Sequence, residues 1–266
     1  MTAKTTTAAF QTCTLDALRI DDEPSFRHVG LYADLKQVLE RANYTFRILP
    51  EVDRGRWDRA LLLNLTFWGA TGGGDVLASE HIDADVVAHV AWHHLAAKAL
   101  APTSGPMSVE ALFLGEAIAS AFDVYLVGRL LGHAPKSSFL ESQVPAIADA
   151  TDAAGLSEEA FDALLQEIAK DPDLAFEELR SLLYDASLAL YRCESAEEGL
   201  RVLASFDNHK YAALLPRYEL SNWVLYARAY GSRTLVEDVA ARQVDGELRS
   251  AKVALDWLEA QWVSKA

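Results

Sequence analysis

Residues 81–100 read HIDADVVAHVAWHHLAAKAL. Ile82, Val86, Val87, Val90, Ala91 and Leu95 recur three and four apart, which is the period of a helix with one apolar face. The spacing predicts a helix from Asp83 to about Leu100, with Asp83 or Asp85 placed to cap its start or to sit at its positive end. Four of the seven histidines of the chain fall between positions 81 and 94. On a helix His89 and His93 are four apart, so both imidazoles leave the same face one turn apart. That spacing lets two ring nitrogens reach one ion at about 2.0–2.1 Å. Asp85 lies one turn earlier on the same stripe, where a carboxylate can accept the second ring N–H of a ligating histidine. His94 points roughly a quarter turn away, and His81, beside Glu80, reads as a loop pair.

Upstream of this helix the pattern changes. Residues 44–49, YTFRIL, are β-branched, aromatic and alternating, and Pro50 stops them, so they read as a strand. Residues 60–68, ALLLNLTFW, are a second, buried-strand candidate, followed by the glycine-rich turn GATGGG at 69–74 and a short third strand candidate at 75–79. Helical spacing also covers 27–43, whereas residues 1–22 are rich in Thr and Ala and read as a flexible lead or an edge segment. Downstream, APTSGPM at 101–107 is a loop, Ser108 is a cap, and a helix runs from Val109 to Leu131, stopped by Gly132. Beyond 134 the chain reads as helices: one opened by Ser157-Glu158-Glu159 and ended before Pro172, then others near 173–193, 195–205, 210–230 and 232–262. The boundary between the α+β part and the helical part is expected near 134–156, from Pro135, Ser137, Ser138, Pro145 and a run of Ala and Asp.

The helix at 109–131 offers Glu116, within Leu114-Gly115-Glu116-Ala117-Ile118-Ala119-Ser120. Strands, a helix with two histidines four apart, a short loop and a second helix with a glutamate together resemble the gluzincin metallopeptidases. There the first helix carries HExxH, and the glutamate some twenty residues on is the third zinc ligand. The resemblance covers about residues 44–133 and implies His89, His93 and Glu116 as metal ligands, zinc as the ion, and a hydrolase-like fold. GEAIAS at 115–120 is also similar to the thermolysin-type stretch NEAISD, in which an aspartate four places after the glutamate orients a histidine ligand. Ser120 occupies that place here, with Asp123 one turn further. The departure is as informative as the match. The string is His89-Val90-Ala91-Trp92-His93, and the valine stands where the family has its general base, the glutamate that activates metal-bound water. The resemblance therefore implies a metal and a fold, with catalysis impaired or altered; Glu80 or Asp85 would have to supply a substitute acid or base.

The expected fold class is α+β and helix-dominated: a flexible lead at 1–22, a small zincin-like sheet-plus-helices part at 23–134, and an all-helical part at 135–266. Two readings of function remain open at this point. One is a metal-binding, zincin-like protein with degenerate peptidase chemistry. The other is a non-enzymatic helical interaction or scaffold protein whose histidines are incidental and which holds no metal, its C-terminal helices offering grooves to a protein or peptide partner. Composition narrows the rest. The formal charge is −15, from 39 acidic against 24 basic residues with no basic cluster, which argues against nucleic acid. The apolar runs look short and interrupted, so no membrane span is expected, and the start MTAKTTTAAFQTC has no signal-peptide core. Two distant cysteines, Cys13 and Cys193, read as free thiols of a cytoplasmic protein. There is no Glu-x-x-His pair for a di-iron bundle, no phosphate loop and no G-x-S-x-G nucleophile elbow.

Overall fold

The strand expected from YTFRIL is the organising strand of the N-terminal part. In the computed structural model, which describes residues 10–53, 75–102, 104–232 and 237–266, Thr45–Ile48 (β3) lies at the centre of a three-stranded sheet. Gln11–Thr14 (β1) pairs with it antiparallel, Cys13 opposite Phe46, and Val76–Leu77 (β4) pairs parallel, Ile48 opposite Leu77. A parallel two-stranded sheet joins Arg19–Asp21 (β2) to His81–Asp83 (β5). The stretch expected as a flexible lead or an edge segment thus carries two strands within its described residues, β1 at the edge of its sheet. Each is only three or four residues long, too short for alternation to show in sequence. The β-branched Thr12 and Thr14 nevertheless suit a pleated edge. The candidate strand at 60–68 and the GATGGG turn lie outside the described residues.

The remainder is helical, and the fold is α+β and helix-dominated. Gly30–Arg41 (α1) follows a 3-10 turn at Glu23–His28. Ala84–Leu100 (α2) and Val109–Leu131 (α3) match the expected helices closely. The cap at Ser108 is real: its Oγ accepts from the Ala111 N–H at 3.0 Å, leaving one fewer orphan donor in the first turn. Asp83 occupies the corresponding position before α2, but its side chain makes no capping bond. Then come Ser138–Ala153 (α4), Glu158–Lys170 (α5), Pro172–Tyr191 (α6), Ala196–Ala204 (α7), Leu220–Tyr230 (α8), Val239–Ser250 (α9) and Ala254–Leu258 (α10). The stretch expected to hold the boundary, 134–156, is mostly α4, a helix that holds Pro145 in its interior. Proline removes one intrahelical bond there, and it is the residue that disguises this helix in sequence. The helix expected over 210–230 divides into a 3-10 segment, Ala212–Tyr218, and α8, joined at Glu219 in the left-handed region (φ 47°). The one expected over 232–262 is broken between α9 and α10.

α3 is the central helix. Nearly every residue along it is buried, with α6 as its most extensive neighbour and α2 next. Its composition and length suffice to cross a membrane, against the sequence expectation, but 94% of its most apolar window is buried inside the fold, and packing accounts for the hydropathy. The close approaches depend on glycine. A Cβ at Gly128 would lie 2.5 Å from the Ile168 carbonyl oxygen, so only glycine lets α3 meet the α5–α6 junction. The core crosses position 134 without a break: Leu130, Ile147, Ile168 and Phe176 belong to one apolar cluster with Trp92 and Phe122. Polar ties cross it too. Glu110 on α3 accepts from the Asp238 N–H at 2.9 Å and from Arg242 Nη2 at 2.7 Å. The fully buried Arg180 of α6 binds Glu177 at 2.6 Å and Asp245 of α9 at 2.8 Å.

Candidate metal centre

Two neighbouring helices bring the expected residues together. α2 contributes Asp85, His89 and His93, each one turn from the next; α3 contributes Glu116, Ser120 and Asp123 from the facing side. The helices can approach because small residues face each other beside the site: a Cβ at Gly115 would stand only 3.1 Å from the Ala96 Cβ. Glu116, the next residue, then meets His93, with Oε2 3.1 Å from Nε2. His93 Nε2 is also 3.2 Å from His89 Nε2. One ligand atom from each of His89, His93 and Glu116 lies within 4.8 Å of the other two.

These distances are compatible with a metal ion as well as with shared protons. A ring nitrogen carries either one proton or one in-plane lone pair. Glu116 Oε2 is buried, and its partner is the His93 ring, through a hydrogen bond and the ring's positive charge. A buried carboxylate needs such a positive partner. Metal–nitrogen bonds of about 2.0–2.1 Å at tetrahedral angles put neighbouring donor atoms roughly 3.3–3.4 Å apart. The two short edges, 3.1 and 3.2 Å, are close to that. By donor type and spacing, the three residues fit a divalent ion.

The surroundings set the charges. Asp123 Oδ2 stands 3.7 Å from His89 Nδ1, an electrostatic contact that favours the tautomer with Nδ1 protonated and the Nε2 lone pair facing the site. Burial alone would lower the His89 pKa, but Asp123, then Glu116 and Asp85, outweigh it and raise it to about 9. Burial opposes ionisation of Glu116, yet the positive side of His93 and His89 and the Ser120 hydroxyl, 3.3 Å from Oε1, hold it below the usual carboxylate range. Asp85 is pushed up to about 7, first by burial and then by the like charges of Asp123 and Asp83. Ser120 thus bonds the glutamate rather than a histidine, and Asp123, one turn further, is the residue beside the ring.

Other sequence candidates lie elsewhere. His81 is not a loop residue paired with Glu80; it sits in β5 with Nδ1 2.8 Å from Asp21 of β2. Glu80 is exposed, and its carbonyl accepts from the Arg19 N–H at 2.9 Å. His94 packs edge-on against Tyr44 at 5.4 Å between ring centroids, and burial and Lys98 lower its pKa. Val90 is fully buried. Sequence reasoning missed one acid. Asp75, at the mouth of β4 and only 3% exposed, accepts from the Tyr44 hydroxyl at 2.7 Å. Burial raises its pKa, against the Tyr44 bond and the fields of His93 and His89, so it is a further carboxyl electrostatically coupled to the histidines. The signal available in sequence was its place directly after a glycine run and before two apolar residues, which reads as a strand start.

No family model, curated protein or solved structure matches this chain.

Proposed function

We propose that this protein binds one divalent first-row metal ion, zinc foremost, through His89, His93 and Glu116, and that it is a zincin-like protein with impaired or altered hydrolase chemistry. The supporting observation is the convergence of three donor atoms, two imidazole nitrogens and a buried carboxylate oxygen, within 4.8 Å of one another. Two imidazoles and a carboxylate suit zinc, and the same set accepts iron, nickel or copper.

The chain's own residues divide the work as follows. Glu116 brings the negative charge that a dication needs in a low-dielectric seam. Asp123 holds the His89 ring by its Nδ1 edge, so that Nε2 is offered with a lone pair. Ser120 steadies the second oxygen of Glu116. A bound metal would supply Lewis acidity and an acidified water. Val90 can take no proton from that water; Asp85, one turn from His89 on the same stripe of the helix, is the carboxyl placed to take it instead. Of the two substitutes expected from sequence, Asp85 is favoured over Glu80, which faces solvent on the β2 side.

The test is metal content and affinity by chelator competition, in the wild type and in His89→Ala/His93→Ala. Binding that survives the double substitution overturns the reading. Hydrolysis of a generic fluorescent casein by the zinc-loaded protein, lost in Asp85→Asn while zinc content is retained, would support the altered-hydrolase part.

A further inference from the structure

The C-terminal helices enclose a trough of about 1130 Å³ between the end of α6, α7, the 3-10 segment Ala212–Tyr218 and α8. Leu190, Leu215, Leu220 and Val224 form part of its apolar wall. On either side stand Leu200 of α7, 68% exposed, and Leu225 of α8, 62% exposed, both also in the lining. Two leucines left in water beside an apolar depression are a binding signature. α7 adds a second observation. It has nine residues and none is buried, although Leu200, Val202 and Leu203 give it an apolar side. A helix this short is marginal without tertiary burial. It is held at its start, where Ser195 Oγ accepts from the Glu198 N–H at 3.3 Å and Glu198 accepts from the Glu194 N–H at 2.8 Å.

Charge indicates the occupant. Glu194, Asp207 and Glu219 line the trough. The one basic residue among its described lining residues, Arg228, is committed to the end of α6, donating to the carbonyls of Cys193 at 2.7 Å and Tyr191 at 3.0 Å. The rim is therefore net acidic around an apolar floor. A small apolar molecule inside the depression would leave Leu200 and Leu225 in water, whereas a helix laid along it would cover both.

We propose that this trough binds an amphipathic α-helix of a partner protein, with bulky apolar anchors at i, i+3 or i+4 and i+7 and with Lys or Arg flanking them. The interaction is independent of the metal centre.

The test uses the full chain and a labelled peptide of about 18 residues, helical by design, with leucine anchors and flanking lysines, followed by fluorescence anisotropy. Saturable binding is expected, unchanged by EDTA. It should weaken about ten-fold or more for Leu200→Ser/Leu225→Ser and for Glu194→Lys/Asp207→Lys. A peptide with glutamates in place of lysines should bind as weakly to the wild type. All four positions are exposed, and unchanged Tm values would show that the variants fold. Absence of binding, or equal binding of both peptides, overturns the proposal. So does laurate protecting the Cys193 thiol from alkylation in Cys13→Ser while the basic peptide does not bind, which would make the trough a small-molecule site. Concentration-dependent dimerisation abolished by the leucine substitutions, without peptide binding, would instead assign the face to a second copy of the chain.

Discussion

Glu116 and Gly115 are adjacent in sequence and act on the same facing helix: Gly115 lets α3 come so near Ala96 that an added Cβ would stand 3.1 Å from it, and Glu116 then reaches His93 at 3.1 Å. The absence of one side chain sets the distance of the next. Gly115→Val should therefore push α2 and α3 apart, destabilise the fold by about 1–3 kcal/mol and weaken zinc binding at least about ten-fold. Thermal melts and chelator competition check both. Undiminished zinc affinity in the variant would show that this approach does not build the site.

Ligand and supporting residues should separate by magnitude. Glu116→Gln keeps the shape and removes the charge, so metal affinity should largely be lost. Asp123→Asn should cost about 10–100-fold through the orientation of His89. Ser120→Ala, which removes one 3.3 Å bond to Glu116, should cost less than either. Isothermal titration of the three variants ranks them, and a Ser120→Ala effect equal to that of Glu116→Gln would contradict the assignment.

The metal-free protein should lose stability as pH rises. His89 is raised above its usual value of about 6.5, to about 9, by Asp123, Glu116 and Asp85 against burial, with Asp75 facing it from β4. Its contribution is present in full below about pH 6.5 and disappears as pH passes through about 9. Asp85, raised to about 7, acts in the same direction: the folded state binds the extra proton, so stability falls as pH rises toward and through 7. Metal binding has the opposite trend, because the ion displaces the His89 proton. Above about pH 6.5, beyond the range in which the lowered pKa values of His94 and His209 act the other way, Tm of chelated protein should thus fall up to about pH 9, and the zinc-induced rise in Tm should grow over the same range. A chelated Tm that climbs across this range would count against the charge assignment.

Val90→Glu tests the ancestry of the site. Val90 is fully buried, so the substitution should destabilise the metal-free protein by about 2–4 kcal/mol. The zinc-loaded variant should gain casein hydrolysis over the wild type. A variant that binds zinc and stays inactive would leave the metal site standing and remove the hydrolase reading.

Arg180 anchors α6 to α9. Arg180→Ala leaves Glu177 and Asp245 without their buried partner and should cost about 3–5 kcal/mol. Arg180→Ala/Asp245→Ala should recover part of this loss, as denaturant melts of the set would show.

How much of this was legible in sequence depended on range. α2 and α3 were readable because their signals are local: apolar period, the Ser108 cap and the Gly132 stop. The pairing of His89 with His93 followed from helical spacing alone, while Glu116 needed a resemblance, since nothing local says which face of α3 meets α2. β1 and β2 were legible only as an edge segment without bounds, because they are stabilised by partners far along the chain, such as Cys13 opposite Phe46 and Ile20 opposite Ile82. Asp75 enters the site through the same long-range pairing, the parallel register of β3 and β4. Pro145 kept the bounds of α4 from being legible, because a proline inside a helix breaks the local helix signal.

Elemental analysis of the purified, tag-free protein beside His89→Ala/His93→Ala tests the central claim most directly. About one zinc, or another first-row divalent ion, per chain in the wild type and none in the variant is the predicted result. No metal in the wild type even after incubation with zinc, or equal metal in both proteins, would contradict the account.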